Sequence, residues 1–181
     1  MLEITIPAVE AYDEVKNEFI TVINEQTLRL EHSLVSLAKW ESKWGKPFLS
    51  PQPRTLEETI DYVKCMTITQ NVDPVVFNYL NNSHIKQIND YIEHPMTATT
   101  FSKEQGGKAN REQITAELIY YWMITLNIPV EFQKWHLNRL LTLIKVCSIK
   151  NQPPKKMSRN EILSRNAALN EQRRKQLNTK G

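Results

Sequence analysis

The chain has 181 residues, of which 40% are hydrophobic and 24% are charged. This composition is that of a globular protein and excludes a largely disordered chain. No run approaches the roughly 18 consecutive apolar residues that a membrane-spanning helix requires, and the start of the chain lacks the pattern of a signal peptide. Cys65 and Cys147 are the only cysteines, too few and too far apart for a disulfide framework. We therefore expect a soluble protein of a reducing compartment.

The formal net charge of +3 is unevenly distributed along the chain. From Lys150 onward, nine basic residues stand against two acidic ones, a net charge of +7, so the rest of the chain carries −4. A mildly acidic body with a basic tail is typical of an interaction arm that binds an acidic protein surface or nucleic acid.

Residues 1–32 show the period of β-strands. Apolar and polar residues alternate over 2–7 and again over 27–32, and residues 19–23 are rich in β-branched side chains. These patterns predict a small element of two or three short antiparallel strands.

Residues 33–149 show the period of helices. Leu34, Leu37, Trp40 and Trp44 recur three and four positions apart until Gly45 ends the run. A capping box is predicted at the segment that begins with Thr55. Further helix starts are predicted at Asp73-Pro74, Ser83, Asn110 and Pro129.

Two strongly apolar helices, near residues 114–126 and 135–147, are predicted to pair antiparallel across Pro129 at the centre of the core. Residues 97–109, rich in Thr and charged residues and containing two glycines, are predicted to form a mobile connection.

Residues 150–181 are predicted to form a proline-containing linker followed by a basic amphipathic helix. Ser158 and Glu161 have the spacing of a capping box. Because the apolar content of this tail is low, we expect it to be helical when bound and frayed when free. The fold class expected for the whole chain is mainly α, in the α+β sense: a strand element, a helical body and a helical tail.

The residues that usually carry chemistry do not converge in this sequence. The four histidines, His32, His84, His94 and His136, never fall at a metal-ligand spacing with Cys, Asp or Glu. His136 and Cys147 would lie about 16 Å apart along one helix, too far for proton transfer. The only glycine pair, Gly106-Gly107, lacks the pattern of a phosphate-binding loop. We therefore expect no catalytic residue, no metal and no cofactor.

The aromatic residues of the helices allow two interpretations. Large rings most often build a core, but Trp and Tyr also anchor interfaces with partner helices. The segment 44–48 is the strongest candidate for an exposed site because a proline turn can hold its rings outward. Contact with a partner is therefore predicted at Trp40, Trp44 and Phe48.

The basic tail also allows more than one interpretation. It is either a solvated end or a site that recruits an acidic partner, with Arg165, Arg173, Arg174 and Lys175 as the contact residues. Nucleic acid is the less favoured partner because no aromatic residue is interleaved with these cations to stack on bases.

Several strings together resemble a known family. They are LRLEHSL at 28–34, KWESKW at 39–44, PMTATTF at 95–101, LIYYWM at 118–123, KWHLNRLLTLI at 134–144 and NQPPKK at 151–156. In these strings the chain is similar to proteins encoded in the tail-gene cluster of tailed bacteriophages and prophages of Gram-positive bacteria, and the Trp135 segment resembles phage tail assembly chaperones.

The resemblance implies a non-enzymatic protein that acts in the host bacterial cytoplasm during phage assembly. Its partners would be the tape-measure protein and the tail-tube protein, with homo-oligomers as a further option. Two alternatives stay open: a structural protein of the virion, such as a head-tail connector or minor tail component, and a nucleic-acid-binding regulator that uses the basic tail.

Overall fold

The computed structural model describes residues 1–101, 113–152 and 158–179. It divides the chain into two units, Met1–Ser148 and Ile149–Gly181. Asn110, most of the predicted mobile connection and the proline pair of the linker lie outside the described residues. Strands occupy the first 30 residues and helices follow, which confirms the predicted α+β class.

Four short strands form two antiparallel pairs. β1 (Leu2–Ile6) pairs with β4 (Gln26–Leu30), and between them in the chain β2 (Val9–Asp13) pairs with β3 (Glu18–Ile23). The antiparallel arrangement was predicted, but β2 was missed.

The β1–β4 pair has one buried and one exposed face because successive side chains in a strand point to opposite sides. The buried side chains of this pair are Ile4, Ile6, Leu28 and Leu30. On the exposed face Arg29 forms an ion pair with Glu3 at 3.1 Å.

Six α-helices and two 3₁₀-helices follow among the described residues. They are α1 (Leu34–Trp44), α2 (Leu56–Met66), a 3₁₀-helix (Pro74–Tyr79), α3 (Asn82–Glu93), α4 (Ala116–Thr125), a second 3₁₀-helix (Val130–Lys134), α5 (Leu137–Asn151) and α6 (Arg159–Leu177).

Local side-chain chemistry sets most helix ends. Ser33 and Thr55 cap α1 and α2 with complete capping boxes, so the predicted box at Thr55 is confirmed. Gly45 ends α1 with a φ of 62°, a left-handed conformation that favours glycine. Asp73 caps the first 3₁₀-helix through a hydrogen bond from the amide of Val75 to Oδ1.

Two predicted helix starts, at Ser83 and Pro129, were wrong, and the start predicted at Asn110 lies outside the described residues. α3 begins after Asn81 and not after Ser83, because Asn81 Oδ1 accepts a hydrogen bond from the amide of His84 at 2.8 Å. α4 is capped by Thr115. Pro129 begins only a 3₁₀-helix, and α5 does not start until Leu137.

The core of the Met1–Ser148 unit is centred on α1. This helix packs against α2, α4 and the second 3₁₀-helix. Leu34, Leu37 and Trp40 are its buried apolar side chains. Helices α4 and α5 contribute to the same core through residues such as Ile119 and Leu140. They were predicted to form the centre of the core, but that centre is α1.

Candidate functional site

The β2–β3 hairpin, residues 9–23, packs mainly on itself and joins the core at its base; we call it the hairpin arm. Its turn is built without glycine. Asn17 adopts a φ of 56°, and its amide donates a hydrogen bond to the carbonyl of Asp13 at 2.8 Å. Asp13 Oδ1 also accepts from the amides of Val15 and Lys16. The turn is therefore well defined although the arm packs mainly on itself.

The arm exposes large apolar side chains that a core would normally cover. Val15 is 95% exposed and Phe19 is 72% exposed. The exposed large apolar residues of the arm are Tyr12, Val15, Phe19, Ile20 and Val22. Within the described part of the chain, only Val9 and Ile23, at the base of the arm, join the core cluster. Exposed apolar surface of this kind is typical of interaction sites.

The arm is also acidic. Residues 9–23 include four acidic residues and one lysine, a net charge of −3. Asp13 and Glu18 lie directly opposite each other in the register of the two strands, an arrangement that destabilises a sheet because like charges face each other. Among the described residues, Glu10, Glu14 and Glu18 form no ion pair. A cationic partner would relieve this repulsion.

Two of the predicted partner-binding aromatics lie in the core. Trp40 is 1% exposed, and its indole donates a hydrogen bond to the carbonyl of Glu58 at 2.9 Å. Phe48 is 4% exposed and stacks on Tyr62 with ring centroids 3.9 Å apart. Because neither ring offers surface in the folded chain, we do not retain partner contact through Trp40 or Phe48.

Trp44 lies at the edge of the same aromatic cluster and is partly exposed. Its indole donates to Asp61 Oδ2 at 2.9 Å, and the ammonium groups of Lys43 and Lys46 each lie 5.9 Å from the centre of its ring. Burial would raise the pKa of Asp61, but hydrogen bonds from Lys43 and Trp44 outweigh it and hold that pKa below its usual value. Trp44 is thus fixed by an ionised carboxylate and presents only part of its ring.

The four predicted tail residues all lie on α6, where Arg165, Arg173, Arg174 and Lys175 are exposed. Lys175 forms an ion pair with Glu171, one helical turn away, at 2.8 Å. The apolar residues of α6 are also exposed and share a side of the helix with arginines, so α6 is not amphipathic in the usual sense. It therefore offers a mixed apolar and cationic surface.

A pair of buried histidines escaped the sequence analysis. His32 and His136 contact each other with ring centroids 5.1 Å apart. His32 Nδ1 is hydrogen-bonded to the hydroxyl of Tyr62 at 2.5 Å, and His136 Nε2 to the carbonyl of Tyr91 at 3.0 Å. Among the described residues, no group pairs with His136 Nδ1.

The histidine pair is electrically neutral near pH 7. Burial lowers the pKa of His32 to about 3, with further lowering from the charges of His136 and Arg54. Burial is also the main cause that lowers the pKa of His136. The amide of Leu137 donates to the carbonyl of His32 at 2.7 Å, which places the start of α5 beside the end of the β1–β4 pair. The two histidines thus lie where two distant segments of the core meet.

Within residues 1–101, 113–152 and 158–179, no group of three or more His, Cys, Asp or Glu side chains is arranged to hold a metal ion. In the same ranges, no helix is long and apolar enough to cross a membrane.

In comparisons with known proteins, the chain matches no family model, no curated protein and no solved structure.

Proposed function

We propose that the protein is a tail assembly chaperone, or a closely related tail morphogenesis factor, of a tailed bacteriophage or prophage. It would act in the host bacterial cytoplasm by binding the tape-measure protein or tail-tube subunits without catalysis. The similarity of the six sequence strings to tail-cluster proteins of Gram-positive phages motivates this proposal.

The observation that carries the proposal is the exposed apolar surface of the hairpin arm. Tyr12 and Phe19 are direct cross-strand partners, and their rings meet edge to face at 5.1 Å. Together with the exposed Val15 they form apolar surface on an element that packs little against the core, and Ile20 adds exposed apolar surface on the opposite face of the arm. Such surface can cover the apolar stripe of a long helix, which would aggregate if left bare.

The arm also suits a chaperone that must release its client. Two strands of five and six residues offer a small contact area, and small interfaces are typical of transient complexes. The charges on the arm add a contribution that salt or a competing charged surface weakens. Binding through the arm would therefore be reversible.

A pull-down tests the proposal. The tagged chain is co-expressed with the proteins encoded beside its gene, and the proteins retained with it are identified by mass spectrometry. We expect the wild-type chain to retain the tape-measure or tail-tube protein. The double variant Tyr12→Ser/Phe19→Ser should lose most of this retention.

The matched control is Tyr121→Ser/Ile124→Ser on α4, because both side chains are exposed, by 61% and 76%, and lie outside the arm. It removes similar apolar surface and should leave retention unchanged. If the wild-type chain retains no tail protein, or if the arm variant and the control behave alike, the proposal is wrong.

One observation favours a second candidate, a structural protein of the virion. Among the described residues the β2–β3 sheet contains only two strands, so each strand has an unpaired outer edge. Free edges can add to the sheet of a neighbouring subunit. Mass analysis of purified particles separates the two candidates, since a chaperone is absent from mature virions and a structural subunit is present in fixed copy number.

A further inference from the structure

One side of α6 alternates apolar and cationic residues. Its members are spaced three and then four residues apart, which places them along one side of a helix. They are Ile162, Arg165, Leu169, Arg173 and Leu177, all exposed. We call this the α6 stripe. A helix with so little uninterrupted apolar surface gains little by packing on an ordinary core, because arginine charge would be buried with it.

The hairpin arm has the complementary composition. It combines exposed aromatic and aliphatic side chains with the carboxylates of Glu10, Glu14 and Glu18, which have no ion-pair partner among the described residues. Its net charge is −3, and residues 158–179 contain five basic and two acidic residues, a net charge of +3. Each surface therefore carries exposed apolar side chains, and the two surfaces carry net charges of opposite sign.

We propose that the hairpin arm of one copy of this protein binds the α6 stripe of a second copy, in a reciprocal exchange that forms a dimer. The arginines of the stripe would pair with the arm's carboxylates, and Ile162 and Leu169 would cover Tyr12 and Phe19. This inference goes beyond the proposed function, because it concerns the chain without any other protein; a client that binds the arm would displace the α6 stripe of the second copy.

Charge argues against the simplest alternative dimer, in which two arms pair edge to edge. Each arm carries −3, so such a dimer would bring like charges together. It would also leave the acidic side chains without cations, whereas the α6 stripe supplies them.

The size of the contact favours exchange between two copies. A stable interface buries roughly 1,200–2,000 Å² in total. A single contact between one helix and a two-stranded hairpin buries little area. A dimer with twofold symmetry contains this contact twice, so the total buried area doubles without a new kind of surface. A closed exchange between two copies therefore comes closer to the area that a stable interface needs.

Charge reversal on each surface tests the proposal with the full-length chain. The arm variant is Glu10→Lys/Glu14→Lys and the stripe variant is Arg165→Glu/Arg173→Glu. Sedimentation analysis at about 50 mM salt should show a wild-type dimer. Each variant alone should dimerise at least tenfold more weakly, because like charges now face each other.

An equimolar mixture of the two variants distinguishes contact between copies from contact within one chain. In the mixed dimer both contacts again join opposite charges, so dimerisation should return to near the wild-type level. If dimerisation of the mixture stays as weak as that of each variant alone, the two surfaces do not meet between copies and the proposal is wrong.

The matched control for the stripe is Arg174→Glu/Lys175→Glu, which makes the same change of charge on α6 outside the stripe. We expect it to weaken dimerisation much less than Arg165→Glu/Arg173→Glu. Circular dichroism of every variant checks that the helices are retained. A monomeric wild-type chain, or equal effects of the stripe variant and its control, would overturn the proposal.

Discussion

Tyr12 and Phe19 contact each other across the hairpin arm with ring centroids 5.1 Å apart and an interplanar angle of 63°, although both rings are largely exposed to solvent. A cross-strand aromatic pair contributes about 0.2–1 kcal/mol to a sheet. That is less than the same two rings would contribute if they were buried in a core or an interface. Their position fits a binding role better than a role in stability.

The double variant Tyr12→Ser/Phe19→Ser is therefore expected to have little effect on the folded chain. We expect the free energy of unfolding to fall by less than about 1 kcal/mol. Urea unfolding followed by tryptophan fluorescence measures it, because Trp40 reports on the core and not on the arm. A loss of several kcal/mol would show that the arm is part of the structural core.

Trp40 should behave in the opposite way. Trp40→Ala removes a ring that packs on Trp44, Phe48 and Tyr62 and deletes the hydrogen bond to the carbonyl of Glu58. We expect a loss of about 3–5 kcal/mol in the free energy of unfolding, the usual effect of deleting a buried aromatic side chain. Ile124→Ala, an exposed control, should change it by less than about 0.5 kcal/mol in the same urea titration.

Glu41 is expected to hold three segments together. Its carboxylate accepts hydrogen bonds from the amides of Phe48 and Ala116, each at 2.7 Å, and so connects α1, the loop that follows it and the start of α4. In Glu41→Gln the side-chain NH₂ group would face one of these amide donors. We expect this variant to lower the free energy of unfolding by about 2 kcal/mol, since hydrogen bonds to charged groups contribute about 1.5–3 kcal/mol.

The exposed Glu25 provides the matched control for this prediction. Glu25→Gln makes the same chemical change without a buried partner and should have almost no effect on urea unfolding. Equal effects of Glu41→Gln and Glu25→Gln would contradict the role assigned to Glu41.

The buried histidine pair predicts acid sensitivity. The pKa of His32 is lowered to about 3 and that of His136 is also lowered, whereas histidines in the unfolded chain titrate near 6.5. The unfolded chain therefore binds more protons below pH 6.5, so stability falls as the pH drops from about 6.5 towards 3. Near pH 5 His32 should contribute a slope of up to about 1.4 kcal/mol per pH unit, and His136 adds to it in the same direction.

Urea titrations between pH 5 and 7 measure this slope, and the variant His32→Gln should reduce it. The carboxylates with lowered pKa values, Glu58 and Asp61, destabilise the fold mainly at lower pH, when they become protonated. A free energy of unfolding that does not change between pH 5 and 7 would contradict the neutral state assigned to the histidines.

The features that the sequence predicted correctly depend on interactions between close neighbours. The capping box at Thr55 involves residues three positions apart, and the end of α1 at Gly45 depends on the backbone of one residue. The strands β1 and β4 have a clear alternation because one face of each is buried. Such signals can be read without knowledge of the rest of the fold.

The features that could not be predicted from the sequence depend on distant contacts or on the absence of burial. β2 has little alternation because nearly all of the arm is exposed, and its turn uses Asn17 where a glycine would have marked a hairpin more clearly. Trp40 and Trp44 are one helical turn apart, and only the packing of α2 on α1 determines that the first is buried. His32 and His136 meet through the fold, without any local spacing to reveal them.

The proposed function depends on the hairpin arm as a binding surface. Hydrogen–deuterium exchange of the stripe variant Arg165→Glu/Arg173→Glu, whose arm no second copy covers, tests this dependence when the variant is measured alone and with its co-purified tail protein, since β2–β3 amides exchange readily unless a partner protects them. We predict that protection on binding is largest over residues 9–23. Unchanged exchange of the arm, with protection confined to other parts of the chain, would contradict the account.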